Sequence, residues 1–203
     1  MITIATLLWD SNDNSADFSS MYDEEWVNRL YRGFACNLTQ PWQFVCYVDR
    51  ERQFGWPLIQ RQLKSPKPGY GDCIQPYELG EAMILVGLDT VVTGNVDHLA
   101  AYALSESKIA LPRAVYRPDT VCNGVALVPE GHRHVWTKWG GENDMEWMRK
   151  QPHAVIDELF PGHVVSYKGH VKENGLGDAR IVFFHGKEKP HEIDEPWVEE
   201  NWS

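Results

Sequence analysis

Positive charge is scarce in this chain. Nineteen lysines and arginines stand against 29 aspartates and glutamates, a formal net charge of −10 over 203 residues. That balance gives no general attraction to nucleic acid or anionic lipid, so a polyanionic partner needs a local basic patch or a metal. Cysteine is sparse too. Cys36, Cys46, Cys73 and Cys122 make no C-x-x-C pair and no zinc spacing. Most lie in apolar patterns, which predicts buried free thiols. No apolar run is long enough to cross a bilayer. The opening residues MITIATLLWD carry no basic region and no cleavage site. They read as a first core strand, in a protein expected to be cytoplasmic and reduced, where the sequons at Asn37 and Asn201 carry no meaning. Repeats and low-complexity segments are also missing.

What is present suits one domain over residues 1–203 with a real core, its end (191–203) an acidic C-terminal tail carrying two Trp. Residues 2–9 form a β-branched and aliphatic run. Ser20 with Asp23 fits a capping box, and Trp26, Val27, Leu30, Tyr31 and Phe34 then repeat at helical spacing to about Asn37. Gln43 to Asp49 is the next apolar run. Strand, helix and strand within about fifty residues have the spacing of a βαβ unit. Residues 52–75, rich in Pro and Gly, predict loop and short irregular pieces. Strands are expected at 82–86, 108–111, 164–167 and 179–184, and another at 121–128, interrupted by Asn123-Gly124. Helical pieces are expected near 95–103, 143–149 and 153–161. The loop 112–120 holds Arg113 and Arg117, a rare local positive spot.

The stretch Ile84-Leu85-Val86-Gly87-Leu88-Asp89-Thr90-Val91-Val92 is the most informative. A buried strand stops on one carboxylate and resumes as an apolar run. A carboxylate in apolar surroundings is costly unless a cation or strong donors stand beside it. In α/β proteins ligands collect at the carboxyl ends of parallel strands. Asp89 is therefore a metal or phosphate candidate, and the competing reading is a turn or helix cap. Asn123-Gly124 has two readings as well: close approach of a ligand, with the amide on sugar hydroxyls, or a β-bulge.

Taken in order, the strand–helix–strand opening, G-L-D-T-V-V-T-G-N-V-D-H-L around Asp89, Cys122-Asn123-Gly124-Val125, Glu142-Asn143-Asp144, and Phe183-Phe184-His185-Gly186-Lys187-Glu188-Lys189-Pro190 resemble the GT-A nucleotide-sugar glycosyltransferases. The resemblance is closest to glycosyltransferase family 8, the glycogenin-like group, with its uncharacterised bacterial and phage relatives, and it covers residues 2–192. It implies a single-domain α/β GT-A (Rossmann-like) fold, with a mixed, mostly parallel sheet flanked by helices. It also implies a divalent metal, Mn²⁺ or Mg²⁺, held by an Asp-x-Asp. Here the second Asp is Asp89, but Gly87 occupies the first position. The family's late metal-binding His falls on Phe183, with His185 two residues on and on the same strand face. His185 is then either a metal ligand or a hydrogen-bonded core or turn histidine. Lys189 and Gly186 match the element that meets the donor phosphates. Asn123 and Gly124 match an N-x-G-V or N-G-V style strand and are expected to bind the nucleotide-sugar, with Asn123 and Asp144 the expected catalytic residues. Asp144 matches an acidic residue that looks toward sugar or acceptor, and also suits a helix N-cap. Trp9 and Asp10 fall where the family binds the nucleotide base. Arg113, Arg117 and Lys168 are weaker phosphate or acceptor candidates.

The implied reaction moves a sugar, with retention, from a UDP-sugar to an acceptor: a saccharide, a protein, a lipid-linked sugar or a modified nucleobase. A catalytically impaired nucleotide-sugar binding protein is the alternative. A nucleotidyltransferase fits less well, because residues 10–19 contain no Gly, Lys or Arg for a phosphate loop.

Overall fold

A computed structural model describes residues 1–203, with the side chains of Asp17 and Phe18 left out. The chain opens as the apolar runs require. Strand β1 (Ile2–Leu8) is buried along its whole length. Helix α1 (Glu24–Asn37) ends where its periodicity predicts, but it begins later than the Ser20 capping box would place it. Asp23 is the cap, and its carboxylate accepts the N–H groups of Glu25 and Trp26. Ser20 lies in a short 3₁₀ turn, Asp17–Met21. The α1 face carrying Trp26, Val27, Leu30 and Phe34 is buried. Each such side chain contributes about 1.5–3 kcal/mol when fully removed from water. Strand β2 (Trp42–Val48) pairs parallel with β1 in register from Ile2↔Trp42 to Leu8↔Val48, completing the βαβ unit.

The region 52–75 is not all loop. It contains β3 (Ile59–Gln62), parallel to β2 and exposed at all four residues, and then a 3₁₀ helix over Tyr70–Leu79. Strand β4 (Met83–Val86) leads through Gly87-Leu88-Asp89 into β5 (Thr90–Val92). Helix α2 (Asp97–Ser105) and strand β6 (Ile109–Leu111) follow as expected. The predicted loop 112–120 folds instead into a hairpin of β7 (Arg113–Ala114) and β8 (Arg117–Val121), with Tyr116 at its turn. Asn123-Gly124 lies between β8 and β9 (Val125–Val128), not within one strand. Helices α3 (His134–Thr137) and α4 (Asp144–Arg149) come next. The segment 153–161 divides into β10 (His153–Val155) and one turn of helix, α5 (Ile156–Leu159). Strand β11 (Val164–Ser166), a π turn at Tyr167–Val171, α6 (Lys172–Asn174), β12 (Ile181–Phe183) and α7 (Pro196–Asn201) complete the chain.

The main sheet has seven strands in the order β10-β6-β9-β4-β1-β2-β3. Strand β9 runs against its neighbours β4 and β6, and the other pairs are parallel. A second sheet, β11-β12-β5, brings the late Phe183 strand beside the Asp89 strand, with Phe183 opposite Thr90. The acidic tail anchors in the core through Trp197, Val198 and Trp202. Trp197 stacks near Phe184, and Trp202 meets the edge of Trp26. The cysteines are free, but of the four Cys46 alone is fully buried, and Cys36 is exposed. Among the described residues no helix is long and apolar enough to cross a membrane.

Candidate active site

A cavity of about 670 Å³ opens where β1 and β4 end and β9 begins. This is the carboxyl edge at which α/β sheets bind ligands. Trp9 enters it from the end of β1, Gly87 and Asp89 from the end of β4, and Asn123 and Gly124 from the start of β9. Asp144 comes from the first turn of α4, and His185, Gly186 and Lys189 from the segment after β12. One space therefore gathers the candidate site residues except Asp10 and, of the weaker basic candidates, Arg113 and Lys168. The Asp10 carboxylate lies outside the lining and is held by Arg50 at 2.8 Å and by the buried Arg52 at 2.8 Å. The Arg50 hydrogen bond, with Arg52 beside it, holds that carboxyl at about 2.

Asp89 is placed by its backbone and claimed by two side chains. Its carbonyl accepts the Phe184 N–H at 2.9 Å, locking the end of β4 to the end of β12. Its Oδ2 accepts the Tyr22 hydroxyl at 3.2 Å and forms an ion pair with the Lys189 ammonium. The Lys189 side chain is 1% exposed and that of Asp89 17%. Two left-handed residues, Gly186 (φ 65°) and Glu188 (φ 62°), turn the chain back so that Lys189 points inward. Glu192 Oε2 accepts the Lys189 N–H at 2.7 Å and fixes its backbone. Burial and the neighbouring Asp89 charge push the Tyr22 hydroxyl far above the ordinary tyrosine range, so it stays a neutral donor.

Across the cavity, Asn123 Nδ2 donates to Asp144 Oδ2 at 3.1 Å. Asn143, not Asp144, caps α4 by accepting the Met145 N–H at 3.1 Å. Asp144 is thus released from capping, and burial raises its carboxyl above the usual aspartate range. Asn123 Oδ1 is buried without a hydrogen-bond partner. A buried amide oxygen with no donor is costly, and a ligand hydroxyl would satisfy it. The close approach at Gly124 is made by Phe183, whose Cδ2 lies 3.2 Å from where a Cβ would stand.

The residues do not fit a divalent cation. Magnesium- and manganese-type sites take carboxylate, phosphate and water oxygens, with one or two protein carboxylates free to face the ion. The first family position is Gly87, where a Cβ would lie 3.0 Å from Asp89 Oδ1. Asp89 itself fills that space, while its other oxygen holds Lys189. The late position is Phe183. His185 Nε2 shares a 2.9 Å hydrogen bond with Ser166 Oγ, and the edge of Tyr116 stands against its ring. Burial, reinforced by Lys168, lowers the His185 pKa and keeps the ring neutral. Among the described residues no group of three His, Cys, Asp or Glu is placed to hold a metal.

Arg113 is spent on Glu158. Arg117 reaches the cavity rim near Glu146, and the Lys168 Nζ lies 3.8 Å from the Cβ position of Gly186. Among the lining residues that escape sequence reasoning are Tyr22, Tyr116 and Arg149. Tyr116 carries a weak signal, an aromatic between two arginines in a supposed loop. Tyr22 carries none, because its partner is 67 residues away.

No model of a known protein family matches the chain, and no curated protein matches it in sequence. In three dimensions it is similar to the crystal structure of the glycosyltransferase GlyE from Streptococcus pneumoniae TIGR4, with a TM-score of 0.60 at 12% sequence identity. The match covers 97% of this chain and 59% of that one, so the chain spans less than two thirds of GlyE's length. What the two share is the fold: the mixed, mostly parallel seven-stranded sheet with helices on its faces is a glycosyltransferase-like, Rossmann-type fold.

Proposed function

We infer that the chain is a glycosyltransferase of GT-A type that takes a nucleoside-diphosphate sugar, a UDP-sugar first among them, and passes the sugar to an acceptor hydroxyl. One observation carries this reading. A single cavity holds a buried ammonium, Lys189, suited to phosphate, and an amide–carboxylate pair, Asn123 and Asp144, suited to sugar hydroxyls. On a glycosyltransferase-like fold, that combination matches the two halves of such a donor.

In the reaction, the bond between the anomeric carbon and the diphosphate oxygen breaks as the acceptor oxygen bonds to that carbon. The nucleoside diphosphate departs with the bonding electrons, and its leaving oxygen takes up the proton that the acceptor hydroxyl gives up. The Lys189 ammonium opposes the charge that develops on the leaving oxygen. Asn123 Oδ1 accepts a sugar hydroxyl, and Asp144, oriented by Asn123 Nδ2, holds the ring with its anomeric carbon toward the acceptor. Trp9, its indole N–H tied to Ser15 Oγ at 3.1 Å, offers a fixed face to the base. Asp10, paired with Arg50 and Arg52, stabilises the loop that follows it. Retention of anomeric configuration and a cytoplasmic setting belong to the same proposal.

The test is release of UDP from UDP-glucose or UDP-galactose, with and without saccharide acceptors, followed by NMR of any product. Release that is lost in Asp144→Asn supports transfer. The altered metal positions favour one second reading, a donor-binding protein without turnover. UDP-sugar binding with no release under any acceptor would establish that reading and remove the enzyme.

A further inference from the structure

We propose that this site binds the donor diphosphate through two lysines, Lys189 at the cavity floor and Lys168 beside Gly186, and takes no divalent metal. The proposal rests on the donor reading above and concerns what supplies its positive charge. Its ground is the occupied geometry at Asp89. A metal site of this kind needs free carboxylate oxygens turned to one point. Here Asp89 Oδ2 already holds an ammonium and a tyrosine hydroxyl. Asp89 Oδ1 lies over the bare Cα of Gly87, in the space a second carboxylate would need. Phe183 fills the late position and packs on Gly124. His185 is already hydrogen-bonded to Ser166.

A dication brought to Asp89 would therefore meet an ammonium whose stem is buried and whose backbone is fixed by Glu192. Repulsion between the two opposes binding. The same features suit a permanent cation. Asp89 and Tyr22 hold the lysine head at the cavity floor, and a lysine ammonium is a compact point charge that serves phosphate well. Lys168 comes from the π turn after β11, and its Nζ stands over Gly186, which lines the cavity. Lys189 at the cavity floor and Lys168 beside Gly186 supply two ammonium groups to the space a donor diphosphate would occupy. Asp89 becomes a positioning residue for Lys189, not a metal ligand.

The test is a titration of the intact chain with UDP, and separately with GDP, in EDTA and in Mn²⁺. The expected result is affinity equal within about twofold in the two buffers. Lys168→Ala is expected to lose about tenfold in both, as one charge-assisted phosphate contact is removed. Lys189 is buried, so its single variants risk misfolding. The paired change Asp89→Asn with Lys189→Met removes both charges together, is checked by circular dichroism, and is expected to lose UDP binding in both buffers. UDP affinity rising tenfold or more with Mn²⁺ would overturn the metal-free proposal and leave the donor reading standing. A folded double variant, or Lys168→Ala, that binds UDP as the parent does would likewise overturn it. Binding of neither nucleotide in either buffer would overturn both readings.

Discussion

Lys189 and Asp89, 100 residues apart in sequence, form one ion pair at the floor of the cavity. The pair ties the segment after β12 to the end of β4, beside the backbone bond from the Phe184 N–H to the Asp89 carbonyl. It thus joins the small sheet to the main one at the point where the cavity opens.

Breaking this pair from one side should cost more than removing it whole. Lys189→Met strands a largely buried carboxylate and is expected to destabilise the chain by about 2–3 kcal/mol, toward the low side for such pairs because Asp89 keeps some exposure. Adding Asp89→Asn should recover most of the loss. Urea unfolding of the two variants measures this, and equal destabilisation of both would show that the pair is not a coupled unit.

Asp144 should leave a signature in the pH dependence of stability. Its carboxyl is raised above the ordinary aspartate value by burial. The folded chain therefore binds that proton more tightly than the unfolded chain does. The stabilisation is full below the unfolded pKa and is lost as pH rises through the raised folded one. Asp144→Asn removes the cost of ionising a buried group. Its melting temperature relative to the parent should rise at neutral pH, and the advantage should vanish as pH falls below the ordinary aspartate range. An advantage that is the same at both pH values would show that burial of the charge is not the cause.

Asn123→Ala separates sugar from nucleotide. The substitution removes the unpartnered Oδ1 and the donor to Asp144 but leaves Lys189 and Trp9 in place. UDP affinity should stay within about twofold of the parent. Turnover of a UDP-sugar should fall about 100-fold, the loss expected for one oriented polar group acting at the transition state. Loss of UDP binding in a folded variant would move Asn123 from the sugar to the nucleotide.

These predictions rest on contacts that the sequence shows unevenly. The βαβ opening is legible because Ile2–Leu8 and Trp42–Val48 are continuous apolar runs around a helix with a clean buried stripe. Strand β3 is not, since Ile59–Gln62 is exposed throughout and is held by pairing with β2, not by burial. The β7–β8 hairpin hides behind Arg113, Arg117 and Pro118, a composition that reads as loop. At the site, the short motifs point to Asp89, Asn123, Asp144 and Lys189 one by one. Their pairing does not follow from any local pattern. Nothing near residue 89 shows that an ammonium will reach it from residue 189, and the exposed lysine of ordinary expectation is among the most buried side chains in the chain.

Gly87 offers the last and most direct probe of that pairing. A side chain there starts 3.0 Å from Asp89 Oδ1, so Gly87→Ala requires the Asp89 carboxylate to give by a few tenths of an ångström and is expected to loosen its hold on Lys189. The expected cost is about 1–2 kcal/mol, within the range for overpacking a filled site. Gly87→Asp adds a second carboxylate beside the first and should be less stable still in EDTA. It also creates the two-carboxylate arrangement that the parent lacks. Mn²⁺ should therefore raise the melting temperature of Gly87→Asp, by ordinary linkage to a ligand bound in the folded state, while leaving that of the parent unchanged. A parent chain stabilised by Mn²⁺ as strongly as the variant would mean that Asp89 is available to a metal despite Lys189.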